Sequence, residues 1–367
     1  MTSRVALLMT LAAAAAMMAG LFVAGIERGP GTLTDTPVYR LYGERIASGD
    51  LPYRDFVVEY PPGALVPFVV AALVSSTPDG YDSAFQSMMI YALALASVLI
   101  VLSLEALRAR PWHVGLSVGA FLAGIALLGV AIATKIYPAV LLPLLVTRIW
   151  RSEGRAAALR GLGLTVGTTL AIYLPFAILA PEGVARSIWR QVGRPLQIES
   201  LGSGVLLAFH HAAGMPLGWA SGSGSQNLTG TVASVASAVT TLAGLAALLL
   251  VWVRFARGDT ESAGRFARYG AAAIVAFVAF GKVASPQFLI WLLAVVVLVP
   301  GLRGMIATLL LLAACAVTRM WFPRTYWDLV KQFDPTASWL VLARDILLVA
   351  VFVVLIARIR ARESEPV

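Results

Sequence analysis

One polar stretch in an otherwise apolar chain collects the side chains best suited to chemistry. Residues 35–63, DTPVYRLYGERIASGDLPYRDFVVEYPPG, hold five of the 19 acidic residues (Asp35, Glu44, Asp50, Asp55 and Glu59), four tyrosines and the pair Pro61-Pro62. A carboxylate held beside a membrane surface can take a proton from an acceptor hydroxyl. Cations that could meet a phosphate stand elsewhere, at junctions between apolar runs. They are Lys135 in Ala133-Thr134-Lys135-Ile136-Tyr137-Pro138 and Lys282 in Gly281-Lys282-Val283-Ala284-Ser285-Pro286-Gln287. Each lysine has a plain reading, a side chain that snorkels to the membrane surface, and a functional one, a fixed cation for a lipid phosphate. At Lys282 the proline corner also leaves backbone amides free for an anion. Arg190 and Arg194 lie in a polar segment that continues through Gln197 to Glu199 and Ser200. Arginines outside the membrane run against the positive-inside bias, so they ask for a partner, either a carboxylate such as Glu199 or a phosphate. The aromatic, basic segment Arg319–Trp327 reads as an interfacial belt or as a sugar or lipid contact. Arg344-Asp345 reads as an intramembrane ion pair.

The elements that must position these groups are membrane helices. The chain is 59% hydrophobic and only 13% charged, about half the charge of a typical soluble domain, and its mean hydropathy is +0.84. This predicts an all-α polytopic membrane protein, a single integral-membrane domain over 1–367. The net charge of +9 is topogenic arginine rather than a nucleic-acid surface, because it clusters in short loops. One cysteine, Cys315, excludes an internal disulfide, and three histidines with one cysteine make no metal motif. Apolar runs fall at 5–25, 62–76, 84–104, 113–133, 136–150, 161–180, 231–253, 269–281, 287–302, 305–319 and 340–358. Arginines place 148–160, 254–268, Arg108 to Arg110 and the tail from Arg358 to Arg362 in the cytoplasm. External loops then cover 26–83, 181–230 and 320–339, with Lys135 and the Lys282–Gln287 corner on the same side. Parity makes 62–76 a re-entrant or interfacial segment, entered through Pro61-Pro62, and leaves ten crossings. Val38, Leu41, Tyr42 and Ile46 form one stripe, which predicts a short interfacial helix capped by Asp35. Gly49–Tyr53 reads as a turn and Ser221–Ser225 as an exposed flexible loop.

Four motifs in order carry a resemblance. They are Asp35…Tyr39…Gly49…Pro52-Tyr53…Asp55-Phe56…Glu59-Tyr60-Pro61-Pro62, then Thr134-Lys135-Ile136-Tyr137-Pro138, then Arg194-Pro195-Leu196-Gln197-Ile198-Glu199-Ser200, then Lys282…Ser285-Pro286-Gln287. Together they resemble glycosyltransferase family 87, a group of actinobacterial membrane mannosyltransferases in the GT-C superfamily. The chain departs from that family in a shortened section before the Thr-Lys-Ile-Tyr-Pro motif, where an Arg-Tyr-Asp-like motif is missing.

The resemblance implies a GT-C-like helix bundle in the bacterial plasma membrane with its site on the outer side. It implies transfer of a sugar, usually mannose, from a polyprenyl-phosphate donor to an envelope glycolipid or glycan, with inversion. Asp35 matches the catalytic acidic residue of the first external loop. Lys135, Lys282 and Arg194 are the matching candidates for the donor phosphate. Tyr39, Tyr53, Asp55, Glu59, Tyr60, Gln197, Glu199, Ser200 and Gln287 are candidates for substrate contact. One carboxylate suffices, because the phosphate leaves without needing protonation, unlike the carboxylate pair of hydrolases. No cofactor or metal is called for, since the island has no DxD motif. Two alternatives come from other classes: a lipid or sugar transporter or flippase, and a non-catalytic polyprenyl-phosphate binder.

Overall fold

A peptide group in hydrocarbon has no water to bond, so long apolar runs close their hydrogen bonds internally as helices. A computed structural model of the chain describes residues 35–106 and 114–357. Within them are 14 α-helices and one two-stranded hairpin. Four helices are long and apolar enough to cross a membrane: Arg155–Leu179, Thr231–Ala256, Gly301–Trp321 and Pro335–Ile356. Val235, Val239, Leu242, Leu245 and Leu249 form an exposed apolar stripe on the second of these, a surface that suits lipid and not water. The chain is therefore a membrane protein.

Of the ten crossings expected from the apolar runs, these four are matched in length and composition. The run 5–25 and the arginines at 108–110 and 358–362 lie outside the described residues. Three of the remaining runs are more broken than their hydropathy suggests, whereas 84–104 lies within the continuous helix Pro78–Ala106 and 114–133 within Val114–Thr134. The run 136–150 divides into a 3-10 turn, Tyr137–Leu141, and a helix, Leu142–Glu153. The run 287–302 yields only Leu289–Val296 as α-helix. The segment 62–76 is a 3-10 turn, Pro62–Ala64, leading into Leu65–Val74. At 1.5 Å per residue these ten α-helical residues reach about 15 Å, half of a hydrocarbon core.

The chain groups into two compact units. The first covers Met1–Arg194 with Ser221–Ser225. In chain order its helices are α1 (Thr36–Ala47), α2 (Leu65–Val74), α3 (Pro78–Ala106), α4 (Val114–Thr134), α5 (Leu142–Glu153), α6 (Arg155–Leu179) and α7 (Pro181–Val192). The second covers Pro195–Ala220 and Gln226–Val367. Its helices are α8 (Leu201–Ala213), α9 (Thr231–Ala256), α10 (Ala263–Ala279), α11 (Leu289–Val296), α12 (Gly301–Trp321), α13 (Tyr326–Gln332) and α14 (Pro335–Ile356). Helix α14 is the spine of this unit, packed by α8, α10 and α12. Ser221–Ser225 is not a loose loop. It forms the tip of a hairpin, β1 (Gly218–Gly222) and β2 (Ser225–Thr229), whose central Ser223 and Gly224 both have positive φ, as a tight hairpin turn requires.

In the first unit the polar island folds back on α2. Helix α1 buries Tyr42 and Gly43 and half-buries Tyr39 and Ile46, while Val38 and Leu41 are exposed. The expected stripe is thus rotated: the inward face is Tyr39, Tyr42, Gly43 and Ile46, at spacings of three, one and three. The reason is Gly43, which lets the helix backbone reach α2. A Cβ there would run into the Phe68 carbonyl and would lie 3.1 Å from the Ala72 Cβ. Gly43→Ala should therefore destabilise the first unit by about 1–3 kcal/mol through overpacking, measured as a lower thermal unfolding midpoint of the purified protein in detergent.

Candidate functional site

The site is built from the start of α1, the segment before Pro61 and the end of α4. Thr36-Pro37 opens α1 with its fixed φ. Asp35 occupies the cap position, but its backbone is helical (φ −85°, ψ −3°) and its side chain makes no capping bond. The expected capping role is thus corrected. A capping carboxylate needs an extended backbone to fold back on the first turn, and here the carboxylate points along the helix. Oδ2 of Asp35 accepts a hydrogen bond from the Tyr39 hydroxyl, one turn on, at 3.2 Å. The Tyr60 hydroxyl donates to Tyr39 Oη, also at 3.2 Å. The three groups form a chain, Tyr60 to Tyr39 to Asp35.

Aromatic packing fixes that chain. Tyr39 stacks on Phe68 of α2 with centroids 4.4 Å apart, and Tyr60 meets both rings edge-on at 5.5 and 5.6 Å. Such pairs are worth about 0.5–1.5 kcal/mol each beyond burial. Burial pushes the Tyr39 phenol far above the usual range, and Tyr60 and Asp35 add to it. Burial carries Tyr60 up to about 12. Both stay neutral and keep their protons as donors.

Lys135 follows α4 directly, and its N–H bonds the Ala131 carbonyl at 2.8 Å. Its Nζ lies 5.8 Å from the Tyr60 ring centroid, on the face where a cation is attracted. Gly63 brings the two segments together: a Cβ there would lie 2.7 Å from Thr134 Oγ1 and 2.9 Å from the Ala133 carbonyl oxygen. Burial lowers the Lys135 ammonium, the Asp35 charge raises it, and Arg194 lowers it further. Lys135 therefore feels both the Asp35 carboxylate and the Arg194 guanidinium.

Other members of the island hold it in shape. Asp55 accepts both guanidinium bonds of Arg54, at 2.8 and 3.0 Å, and the Leu51 N–H at 2.8 Å. The Arg54 bonds and the Leu51 N–H drive its carboxyl down to about 2. Glu44 pairs with Arg40 and Asp50 with Arg45. Tyr53 is buried at φ 69° and donates to the Tyr60 carbonyl at 2.6 Å. Glu59 is half-buried, and its carbonyl accepts from Gln191 of α7 at 2.6 Å. Tyr53 and Asp55 thus spend their polar groups on neighbouring chain.

Gln197, Glu199, Ser200, Lys282 and Gln287 belong to the second unit. Leu196–Ile198 runs along β2, with Leu228 N–H bonding Leu196 at 2.9 Å and Ile198 N–H bonding Gln226 at 3.0 Å. The Gln197 N–H bonds the Lys282 carbonyl at 2.9 Å. Ser200 caps α8, accepting from the Ser203 N–H and donating to the Gln197 carbonyl. Gln287 is exposed in a 3-10 turn, and burial lowers the Lys282 ammonium. Sequence reasoning missed one group here. Arg344 pairs with Asp345 as expected, at 2.7 Å, but its guanidinium also donates to the Glu199 carbonyl. All three residues are at most 2% exposed, and Glu199 Oε2 and Asp345 Oδ2 have no hydrogen-bond partner. The available signal was a count: two carboxylates in apolar surroundings and one arginine. Among the described residues no three His, Cys, Asp or Glu side chains are placed to hold an ion.

Burial pushes the Glu199 carboxyl up to about 7, with Arg344 and Gln197 opposing. The folded value lies above the ordinary 4.5, so the stability it contributes is complete below pH 4.5 and is lost as pH rises through 7. Glu199→Gln should remove this loss. Relative to wild type, the variant gains up to about 3 kcal/mol between pH 4.5 and 8, read by chemical denaturation in detergent across that range. Comparison with known protein families, curated proteins and solved structures finds no match for this chain.

Proposed function

We propose that this chain is an inverting membrane glycosyltransferase that moves a sugar, mannose by the family resemblance, from a polyprenyl-phosphate donor to an envelope glycolipid or glycan. One observation carries the reading: the Asp35 carboxylate, bonded to the Tyr39–Tyr60 pair of neutral phenols, lies close enough to Lys135 for their charges to interact, and Lys135 in turn feels Arg194. Asp35 Oδ1 takes the proton of the acceptor hydroxyl while Tyr39 holds Oδ2. The acceptor oxygen attacks the anomeric carbon on the face opposite the phosphate. The carbon–oxygen bond to phosphate breaks, and its electron pair leaves on the polyprenyl phosphate. Lys135 and Arg194 meet that charge, the electrostatic help a leaving phosphate needs.

The membrane placement is part of the proposal. Helix α1 lies on the outer surface of the bacterial plasma membrane with Val38 and Leu41 toward lipid, and α2 enters without crossing. The whole chain then makes ten crossings, with the shorter helices filling the bundle and the polyprenol tail running beside α2.

Asp35→Asn should lower transfer from a radiolabelled polyprenyl-phosphate mannose by about 10²–10⁴-fold, with unchanged yield and unfolding midpoint. Full activity in that variant would remove Asp35 from the mechanism and leave Glu59 as the next carboxylate. Lys135→Ala should raise the donor concentration needed for half-maximal rate while leaving the acceptor preference as it was. A change confined to acceptor choice would count against a phosphate role for Lys135.

A further inference from the structure

A polar cavity in the second unit uses none of these residues. It has a volume of about 330 Å³ and is lined by Ser262, Gly264, Arg265, Arg268, Pro300 and Arg303, with Val299 as its apolar edge. That is far above the roughly 10–15 Å³ that holds one water. No acidic residue lines it. The buried Arg265 Nε, Arg268 Nε and Arg303 Nη1 have no hydrogen-bond partner. Three guanidiniums in one pocket repel one another, and each can offer a paired donor edge to a phosphate.

The surroundings hold the pocket in place for an anion. Arg265 and Arg268 both stand over the Tyr269 ring, each 4.6 Å from its centroid. Arg265 Nη2 is anchored on the Arg254 carbonyl at 2.6 Å. The pocket also faces the starts of two long helices, α10 after Ser262 and α12 after Pro300. Gly264 packs against Pro300, which brings the two starts together. No side chain caps α12, so its first N–H groups add partial positive charge. Asp259 does not compete, because its Oδ1 accepts the backbone N–H groups of Glu261 and Ser262.

We propose that this pocket binds a phosphate group, carried by an anionic phospholipid or free in solution. The charge-based topology puts 254–268 at the cytoplasmic face, where anionic headgroups are concentrated. This site is independent of the glycosyl-transfer reading.

The test uses the full chain in nanodiscs. One set contains phosphatidylcholine alone with added inorganic phosphate, and the other contains phosphatidylglycerol. Lipid retention is read by native mass spectrometry, and phosphate binding by the shift in thermal unfolding. Arg268→Gln and Arg303→Gln should each weaken binding about tenfold or more. Arg257→Gln, an exposed arginine of the same loop, should not change it. Selective retention of phosphatidylglycerol assigns the lipid source, and a phosphate shift in phosphatidylcholine assigns the free anion. Should Arg268→Gln fail to fold, Arg268→Lys keeps the charge, loses the fork and should still bind more weakly. No preference for either anion in wild type overturns the proposal. So does equal weakening in Arg257→Gln, or unchanged binding in both Arg303→Gln and Arg268→Lys.

Discussion

Two tyrosine hydroxyls 3.2 Å apart tie the start of α1 to the segment before Pro61, and the polar island is organised around that bond. A phenol loses water when its ring is buried, so its hydroxyl must find a partner. Tyr60 finds Tyr39, and Tyr39 finds Asp35. The rings around them come from two further helices, Phe68 of α2 and Phe85 of α3 completing the cluster. Gly43 and Gly63 set how closely backbones can approach. Aromatic burial supplies the stabilisation, and the hydroxyl chain selects one arrangement of it.

The second unit meets a harsher constraint. Arg344 and Asp345 sit on α14 at 1% exposure, with Glu199 beside them. Bringing charges out of water is costly, and one guanidinium cannot neutralise two carboxylates. The bonds to Arg344 are therefore better understood as registration. They tie the Leu196–Ser200 segment, and through it β2, to the central helix. Removing Arg344 alone would strand two buried acids, whereas removing Glu199 strands none.

Much of this architecture was legible in the sequence, and the losses have physical reasons. Long runs of uniform hydropathy read correctly: the helices Arg155–Leu179, Thr231–Ala256, Gly301–Trp321 and Pro335–Ile356 take up the runs that begin at 161, 231, 305 and 340, and Pro175 does not break the first. The Arg344-Asp345 pair also read correctly, since adjacent charges in an apolar run have few alternatives. The interior face of α1 did not. Hydropathy favours Val38 and Leu41 over Tyr39, but packing is decided by the small Gly43 and the stacking of Tyr39 on Phe68, and neither shows in a hydrophobic stripe. Asp35 read as a cap because its residue type and position fit one, while its backbone angles do not. Ser221–Ser225 read as flexible from composition, although serine and glycine at positive φ are what a tight hairpin tip uses.

Five carboxylates in the island looked equivalent by type, and their partners separate them. Glu44, Asp50 and Asp55 are each paired with an arginine of the island. A carboxylate held as low as Asp55 is a weak base, because its proton affinity is what Arg54 has removed. Glu59 is half-buried and stands near two phenols, Tyr42 and Tyr60, that stay protonated. Asp35 differs in kind. Its carboxylate accepts from a neutral donor, the Tyr39 hydroxyl, which orients Oδ2 without the charge of a guanidinium. Lys135 then lies over the Tyr60 ring, close enough to feel the Asp35 charge. The carboxylate and the ammonium thus keep distinct surroundings, the first oriented by a neutral phenol and the second set over an aromatic face.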